Sequence, residues 1–470
     1  SLAFGKQTTA SGSDALAFGS SSQATANSAT AIGNGANASN TNAIAVGTSA
    51  AASGNNSAAV GKSAQADQDN DNAFGTSVHA NGGGATAIGY LVNTTGNQAF
   101  GGGSNTTVSG TAAVGIGYSN TASGDRSVSI GSAYNGTQTG ATGNYSVALG
   151  AAARASNEAS IAIGKTTVAS ETGATAIGNG ANATKSDAIA VGTSAAASES
   201  SAIALGKSSQ AKSSKAIAVG EGAVANGTST IAIGAGNNAT GWGATAIGKN
   251  VQVTKERSTG LGWDLTVDQS AATLIGYNSQ VHANQATGLG STINITNAAQ
   301  YGTGIGYQVD VSGKNAVAIG SSGDTGTHTA ASATDAVSIG TATVASGEAA
   351  TAIGKKAAAS KANAIAFGTS AAASESSATA IGNGATASKE DAIAMGTNAV
   401  ASDTYTVAIG NSAIAGNTSA VAIGNGANVT GYASIAIGNS ASATSGATVV
   451  VGDGASSTQS LGTALGKGAT

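Results

Sequence analysis

The sequence predicts an all-β chain that folds as a parallel β-solenoid of 14-residue repeats. A glycine that follows an aliphatic or aromatic residue returns every 14 residues, for example at Gly5, Gly19 and Gly33. Apolar and small residues alternate before this glycine, and a period of two is typical of a strand. The 470 residues include 71 Gly but neither Pro nor Cys. These observations predict short strands, joined by glycine-containing turns, that stack one repeat on the next.

The 14-residue spacing extends along almost the whole chain, over about 33 repeats. One register is ambiguous, because Gly103 keeps the spacing whereas Phe100-Gly101 fits the motif better. Three insertions interrupt the spacing, near residues 132–145, 291–305 and 321–335. Additional residues in a solenoid bulge out as loops, often on a binding face. Each insertion is therefore either part of a binding surface or a neutral excursion of the chain.

Positions within the repeat are numbered here from the glycine, which is position 0. Positions −3 and −1 hold mainly Ile, Val, Leu or Phe, whereas −4, −2, +3 and +5 are mostly Ala or Ser. This pattern predicts two strands and two turns per repeat, with the glycine in a turn, where it adopts positive φ freely. We expect the larger side chains at −3 and −1 to face inward and those at −2 and −4 to face outward. A helix is disfavoured because a glycine every 14 residues costs about 1 kcal/mol each in a helix interior.

Composition excludes several classes of protein. The formal net charge is −4, and the 18 basic residues are scattered, so we expect no nucleic-acid partner. No stretch approaches the roughly 20 apolar residues that cross a bilayer, and no signal peptide opens the chain. Because the sequence starts and stops inside the repeat, we interpret it as a fragment of a longer, exported protein. The absence of Cys excludes disulfides and thiol chemistry.

Nothing in the sequence indicates catalysis, a cofactor or a metal. His79, His282 and His328 are far apart and fall in turns or an insertion, whereas a metal site needs several converging ligands. The acidic residues lie at unrelated registers, so a glycoside hydrolase with paired carboxylates is disfavoured. We therefore expect a protein that is not an enzyme and that holds no cofactor.

The aromatic residues at position +1 are the first candidates for ligand contact. Trp263, Tyr277 and Tyr307 occupy this position in nearly successive repeats. Because position +1 lies in a turn, the rings could form an exposed ladder that contacts a protein or a sugar. They could equally pack on a neighbouring loop or chain. The insertions supply the other candidates, which are Tyr134, Asp324 and His328.

At this level of detail the sequence resembles a known family. Units such as Asn42-Ala43-Ile44-Ala45-Val46-Gly47 and Ser434-Ile435-Ala436-Ile437-Gly438 are similar to the head repeat of trimeric autotransporter adhesins, the YadA-like head. The resemblance covers residues 1–470, which we expect to form one head domain. It implies a left-handed parallel β-roll, three chains side by side as a homotrimer, and display on a Gram-negative outer membrane. It also implies a membrane anchor that lies outside this fragment.

The resemblance makes adhesion the first functional hypothesis. The expected partner is a host matrix protein, a host glycan or a bacterial surface, and the residues do not distinguish between these ligands. The alternative is a non-adhesive structural or ice-binding solenoid, which would need a flat, regular ladder of Thr or Ala. The prevalence of Ala at positions −2 and −4, expected to face outward, would supply such a ladder.

Overall fold

The computed structural model describes residues 1–322 and 326–470. The chain divides into two compact units, Ser1–Gly236 and Asn237–Thr470. Each unit is a parallel β-solenoid of 14-residue rungs, and the chain has about 33 rungs in all. The described residues form 60 strands and no helix, so this part of the chain contains no helix that could span a membrane.

A regular rung has a three-residue first strand over positions −3 to −1 and a two-residue second strand over +4 and +5. The three-residue first strands are Leu2–Phe4, Leu16–Phe18, Thr30–Ile32, Ile44–Val46, Ala58–Val60, Val147–Leu149, Ile161–Ile163, Thr175–Ile177, Ile189–Val191, Ile203–Leu205, Ile217–Val219, Ile231–Ile233, Thr351–Ile353, Ile365–Phe367, Thr379–Ile381, Ile393–Met395, Val407–Ile409, Val421–Ile423, Ile435–Ile437, Val449–Val451 and Thr463–Leu465. The two-residue second strands are Thr9–Ala10, Gln23–Ala24, Asn37–Ala38, Ala51–Ala52, Gln65–Ala66, His79–Ala80, Asn93–Thr94, Thr107–Val108, Arg154–Ala155, Val168–Ala169, Asn182–Ala183, Ala196–Ala197, Gln210–Ala211, Val224–Ala225, Asn238–Ala239, Val344–Ala345, Ala358–Ala359, Ala372–Ala373, Thr386–Ala387, Val400–Ala401, Ile414–Ala415, Asn428–Val429, Ser442–Ala443 and Ser456–Ser457.

Other rungs carry longer strands. Strands that continue through the glycine to position +1 are Asn72–Thr76, Thr86–Tyr90, Phe100–Ser104, Val114–Tyr118, Val128–Ser132, Val317–Ser321 and Val337–Thr341. Three second strands gain a residue, and they are Asn120–Ala122, Thr139–Ala141 and Thr329–Ala331. Both strands merge into a single nine-residue strand at Thr245–Val253, Thr259–Val267, Thr273–Val281, Thr287–Ile295 and Thr303–Val311.

Each strand pairs in parallel with its own copy in the next rung. Ile189 aligns with Ile203, which in turn aligns with Ile217. The amide of Ile189 donates to the carbonyl of Ala202 at 2.8 Å, so the hydrogen bonds of one rung are accepted by the next. The predicted period, parallel stacking and two turns per rung are thus confirmed. The ambiguous register is also resolved, because Gly103 aligns with Gly89 and Gly117.

The first strand turns the opposite face inward from the one that the sequence analysis predicts. Ala188, Ala190, Ala195 and Ala197, at positions −4, −2, +3 and +5 of one rung, are all fully buried. Along both units the core is therefore built mainly from alanine columns. The expectation that the larger side chains at −3 and −1 form the core is wrong.

The cause is the width of the rung. In the regular rungs, alanines from both strands fill the space between them, and among the described residues buried Leu or Ile side chains, such as Leu265 and Leu274, occur only in the nine-residue strands. Methyl groups fill this interior, and close packing penalises larger ones. The aliphatic columns are displaced to the outside, where Ile44 is 43% exposed and Phe367 is 52% exposed. The alanine columns at −2 and −4 accordingly supply no outward ladder of the kind that an ice-binding solenoid would need.

Where Val251 and Val253 fill the core side of one rung, a glycine on the first strand of the next rung compensates. Val251 and Val253 replace the usual alanines, and Gly260 of the next rung occupies position −2. A Cβ at Gly260 would lie only 2.6 Å from Val251 Cγ1 and 2.9 Å from Val253 Cγ2. The volume inside the solenoid is thus shared between two strands, and a glycine on one makes room for a valine on the other.

Candidate ligand-binding surfaces

The five nine-residue strands bend around the first corner and display a continuous column at position +1. In order along the solenoid, Lys249, Trp263, Tyr277, Ser291 and Tyr307 align side by side. The two predicted neighbours Trp263 and Tyr277 are adjacent. The third, Tyr307, lies two rungs away from Tyr277, because Ser291 stands between them.

The first three members of this column contact one another. The Trp263 and Tyr277 rings meet edge to face, with centroids 5.6 Å apart and an interplanar angle of 75°. Lys249 Nζ lies 5.1 Å from the Trp263 ring centroid, within the range of a cation–π contact. Trp263, Tyr277 and Tyr307 are each about half exposed, at 48%, 48% and 50%. These rings, called here the aromatic strip, are therefore accessible, and Trp263 and Tyr277 are oriented by their contacts with each other and with Lys249.

An aliphatic column borders the aromatic strip at position −1. Leu261, Ile275 and Leu289 are 40%, 36% and 40% exposed. Together the two columns make an apolar band beside a corner of the solenoid, a composition typical of protein contact surfaces.

The second strand of the same rungs carries polar side chains at position +4. Gln280, Asn294 and Asp310 align in consecutive rungs. Asn294 Nδ2 donates to Asp310 Oδ1 at 3.3 Å, and His328 Nδ1 lies 2.6 Å from Asp310 Oδ2. The predicted candidate His328 thus caps this column, while its companion Asp324 lies outside the described residues.

All three histidines pair with an aspartate. His79 Nε2 lies 2.7 Å from Asp67 Oδ2, and His282 Nδ1 lies 2.7 Å from Asp268 Oδ2. Each pair is partly exposed. Residues 1–322 and 326–470 contain no group of three His, Cys, Asp or Glu side chains that could hold a metal ion.

The insertion near 132–145 forms a small hairpin over residues 133–138, called here the hairpin insertion. Tyr134 and Thr137 exchange backbone hydrogen bonds of 2.8 and 3.0 Å across Asn135 and Gly136. Both of these turn residues have positive φ, 48° and 77°, which is the geometry of a type I′ turn. The Asn-Gly pair therefore accounts for the local structure.

Tyr134 anchors the hairpin insertion to the solenoid. Lys165 Nζ lies 3.8 Å from the centroid of its ring. A hydrogen bond from Lys165, and then the positive charge of that ammonium group, lower the pKa of the Tyr134 phenol. The predicted candidate Tyr134 thus holds the insertion in place in this conformation.

The insertions near 132–145 and 321–335 leave the solenoid at the same corner. In each case the chain re-enters the solenoid at a threonine. Thr139 Oγ1 lies 3.0 Å from the carbonyl oxygens of both Ser132 and Gly150. Thr329 Oγ1 makes the equivalent contacts to Ser321 and Gly340, at 2.8 and 2.7 Å. A buried threonine hydroxyl therefore closes the base of each insertion. The insertion near 291–305 differs, because it only widens the opposite corner, at residues 296–301.

The sequence matches a known protein-family model over most of its length. The YadA head domain repeat, described over two copies, matches residues 1–22, 10–36, 24–50, 52–77, 109–133, 141–167, 169–195, 183–209, 197–223, 211–237, 225–250, 331–357, 359–385, 387–413 and 415–441. The chain belongs to the YadA head family. Membership of this family suggests an adhesin-like role, and YadA heads are typically displayed on the surface of Gram-negative bacteria. Among curated proteins no sequence matches this chain.

The matched intervals omit both surfaces described above. They stop at residue 250 and resume at residue 331, and they also omit residues 134–140. The aromatic rings and the hairpin insertion therefore depart from the common repeat, as do residues 78–108 and 442–470, which also lie outside the matched intervals.

Proposed function

We propose that the chain is the head of a trimeric adhesin, in which three left-handed rolls lie side by side. The observation that carries this proposal is the outward aliphatic face of the first strand. Ile203 and Ile217 are typical of it, whereas Gln210 lies on the outer side of the second strand in the same region. A long apolar face on one side of a polar solenoid favours burial against other copies.

Charged residues on the aliphatic face test the assembly. We expect the chain to sediment as a trimer of its 43.7 kDa mass. Replacement of Ile203 and Ile217 by Asp should weaken the trimer, since each unpaired carboxylate buried in an interface costs at least about 2 kcal/mol. Analytical ultracentrifugation measures the change. The matched control places Asp at Gln210 and Val224, on the second strand of the same rungs, and a wild-type chain that stays monomeric contradicts the assembly.

The proposed role is attachment without catalysis, from the bacterial outer membrane to a host matrix protein, a host glycan or another bacterium. The anchor would belong to a segment outside this sequence. Three chains that each present the same surface would bind with higher avidity than a single contact provides. The aromatic strip supports this role because Trp and Tyr dominate binding energy at interfaces.

Removal of the aromatic strip tests attachment. The Trp263→Ala and Tyr277→Ala double variant should lose at least about ten-fold in affinity, since a binding hot spot contributes roughly 2 kcal/mol or more. Binding is measured on immobilised collagens, fibronectin, laminin and glycans. The control is Tyr90→Ala with Tyr118→Ala, which removes two tyrosines at the same position +1 of other rungs. Equal losses in both variants, or none in either, would exclude the strip as the contact.

A further inference from the structure

The hairpin insertion covers a cavity on the polar side of the solenoid. The cavity has a volume of about 410 Å³. Its lining is formed by Thr121, Gly136, Thr137, Gln138, Thr139, Gly140, Thr142, Arg154 and Ser156. This set contains one cation, several hydroxyl groups, one amide and no acid. Such a volume matches a small ligand, for example one or two sugar units.

A missing side chain opens this cavity. Thr121, Gly140 and Arg154 follow one another at position +4, so the side chains of Thr121 and Arg154 flank a gap at Gly140. Successive strands are about 4.8 Å apart, which makes the gap roughly 9.6 Å wide. Neither backbone conformation nor crowding requires this glycine, because a Cβ there would meet nothing closer than 3.8 Å. Its absence of a side chain therefore leaves space beneath the hairpin.

The polar groups around the gap are not used by the protein itself. Within residues 1–322 and 326–470, Arg154 has no acidic partner, and no hydrogen bond involves the side chains of Thr121, Thr137, Gln138 or Ser156. The hairpin that contributes Thr137 and Gln138 is already fixed by its turn and by the contact of Tyr134 with Lys165. A ligand would therefore meet a hairpin backbone that is already in place, and polar side chains that need not break contacts within the protein.

We propose that this cavity binds an acidic sugar unit, with the Arg154 guanidinium group paired to a carboxylate or sulfate. A guanidinium group presents parallel N–H donors that match both anions in a bidentate manner. The hydroxyl and amide groups of Thr121, Thr137, Gln138 and Ser156 suit the hydroxyls of the sugar ring. This inference deepens the proposed adhesive function and rests on it for its biological meaning.

The other insertion at the same corner lacks this chemistry. Its position +4 column is Asp310, Ala330 and Val344, which replaces Thr121, Gly140 and Arg154. Asp310 is already paired with His328. The chain thus offers an internal comparison, in which the position +4 column beside the second insertion carries a paired carboxylate rather than an unpaired arginine.

Calorimetric titration of the purified chain tests the proposal with three probes, namely sialyllactose, a heparin tetrasaccharide and neutral lactose. At least one acidic probe should bind ten-fold or more tightly than lactose. Binding of sialyllactose shows that a single carboxylate is sufficient, whereas binding of heparin alone, whose units carry both carboxylates and sulfates, shows that the site requires a higher charge density. The proposal is overturned if neither acidic probe binds more tightly than lactose.

Two variants locate the site. Arg154→Gln should weaken the acidic probe about ten-fold, because a charge-assisted hydrogen bond contributes roughly 1.5 kcal/mol or more. Gly140→Leu should do the same by filling the cavity. The matched controls, Arg126→Gln and Ala330→Leu, should bind as the wild type does. Unchanged affinity in Arg154→Gln overturns the proposal even if Gly140→Leu fails to fold.

The same titration separates this proposal from adhesion in general. A chain that attaches to matrix proteins yet ignores acidic sugars would contradict the cavity proposal alone. A chain that binds acidic sugars through Arg154 yet attaches to no surface would contradict only the adhesive function.

Discussion

Gly178→Ala should destabilise the surrounding rungs by about 3 kcal/mol, whereas Gly180→Ala, two residues further on, should cost about 1 kcal/mol. Gly178 is the position 0 glycine of its rung and has φ of +129°. A Cβ there would lie 2.6 Å from the carbonyl oxygen of Gly192 in the next rung. Backbone strain of this kind costs about 1–3 kcal/mol, and the clash adds to it.

Gly180 provides the matched control, because its requirement for glycine is much weaker. Its φ is +66°, and Ser194 adopts a similar left-handed conformation at the same position of the next rung, with φ of +56°. A Cβ at Gly180 would meet nothing closer than 3.8 Å. Alanine therefore bears only the ordinary cost of a left-handed conformation, about 1 kcal/mol.

Hydrogen exchange measures this difference better than a global unfolding curve does. In a repeat protein each rung depends mainly on its neighbours, so a local lesion lowers protection locally. The amide of Gly192, which donates to Ile177 at 2.8 Å, should exchange faster in Gly178→Ala and change little in Gly180→Ala. Equal protection in both variants would contradict the role assigned to position 0.

The period of the solenoid was predictable from sequence because it is imposed by the backbone. Every rung must return to the same place, so the glycine at position 0 recurs at a corner where a Cβ would clash with the carbonyl group of the next rung. The alignment of Trp263 with Tyr277 follows from the same 14-residue spacing. Lys249 also occupies position +1 and aligns with Trp263, although the prediction overlooked it. The counting rule also shows that Ser291 separates Tyr277 from Tyr307.

The side of the strand that faces inward was not predictable from alternation alone. A period of two assigns Ile189 and Ala190 to opposite faces, but it does not state which face is buried. The usual preference for burying the larger side chain fails in the regular rungs, because alanines at −4, −2, +3 and +5 already fill their interior. Volume, and not hydrophobicity, decides the orientation.

The contacts of the insertions were only partly accessible to sequence reasoning. The pair Asn135-Gly136 is typical of a two-residue hairpin turn. Its anchor, Lys165, belongs to a rung further along the solenoid, so the contact depends on the direction in which the hairpin leans. The pairing of His282 with Asp268 was accessible, since both occupy position +6 of consecutive rungs, whereas His79 and Asp67 occupy different positions.

The shared core volume leads to an expected energetic coupling between Gly260 and Val251. Gly260→Ala alone should destabilise its rungs by about 1–3 kcal/mol, because the added methyl group overpacks against Val251. Val251→Ala alone leaves a cavity and should also destabilise them. The double variant restores the alanine pair that most rungs contain. It should therefore be more stable than the sum of the two single changes indicates, by about 1 kcal/mol or more.

Leu261 supplies the control for this cycle, because it neighbours Gly260 but faces outward and is 40% exposed. Leu261→Ala combined with Gly260→Ala should be additive in hydrogen exchange and in thermal stability. Additivity in the Val251 cycle as well would mean that the two strands do not share one interior volume. A favourable coupling confined to Val251 would instead explain why these rungs accept valine without widening: the glycine of the facing strand provides the space that the branched side chain occupies.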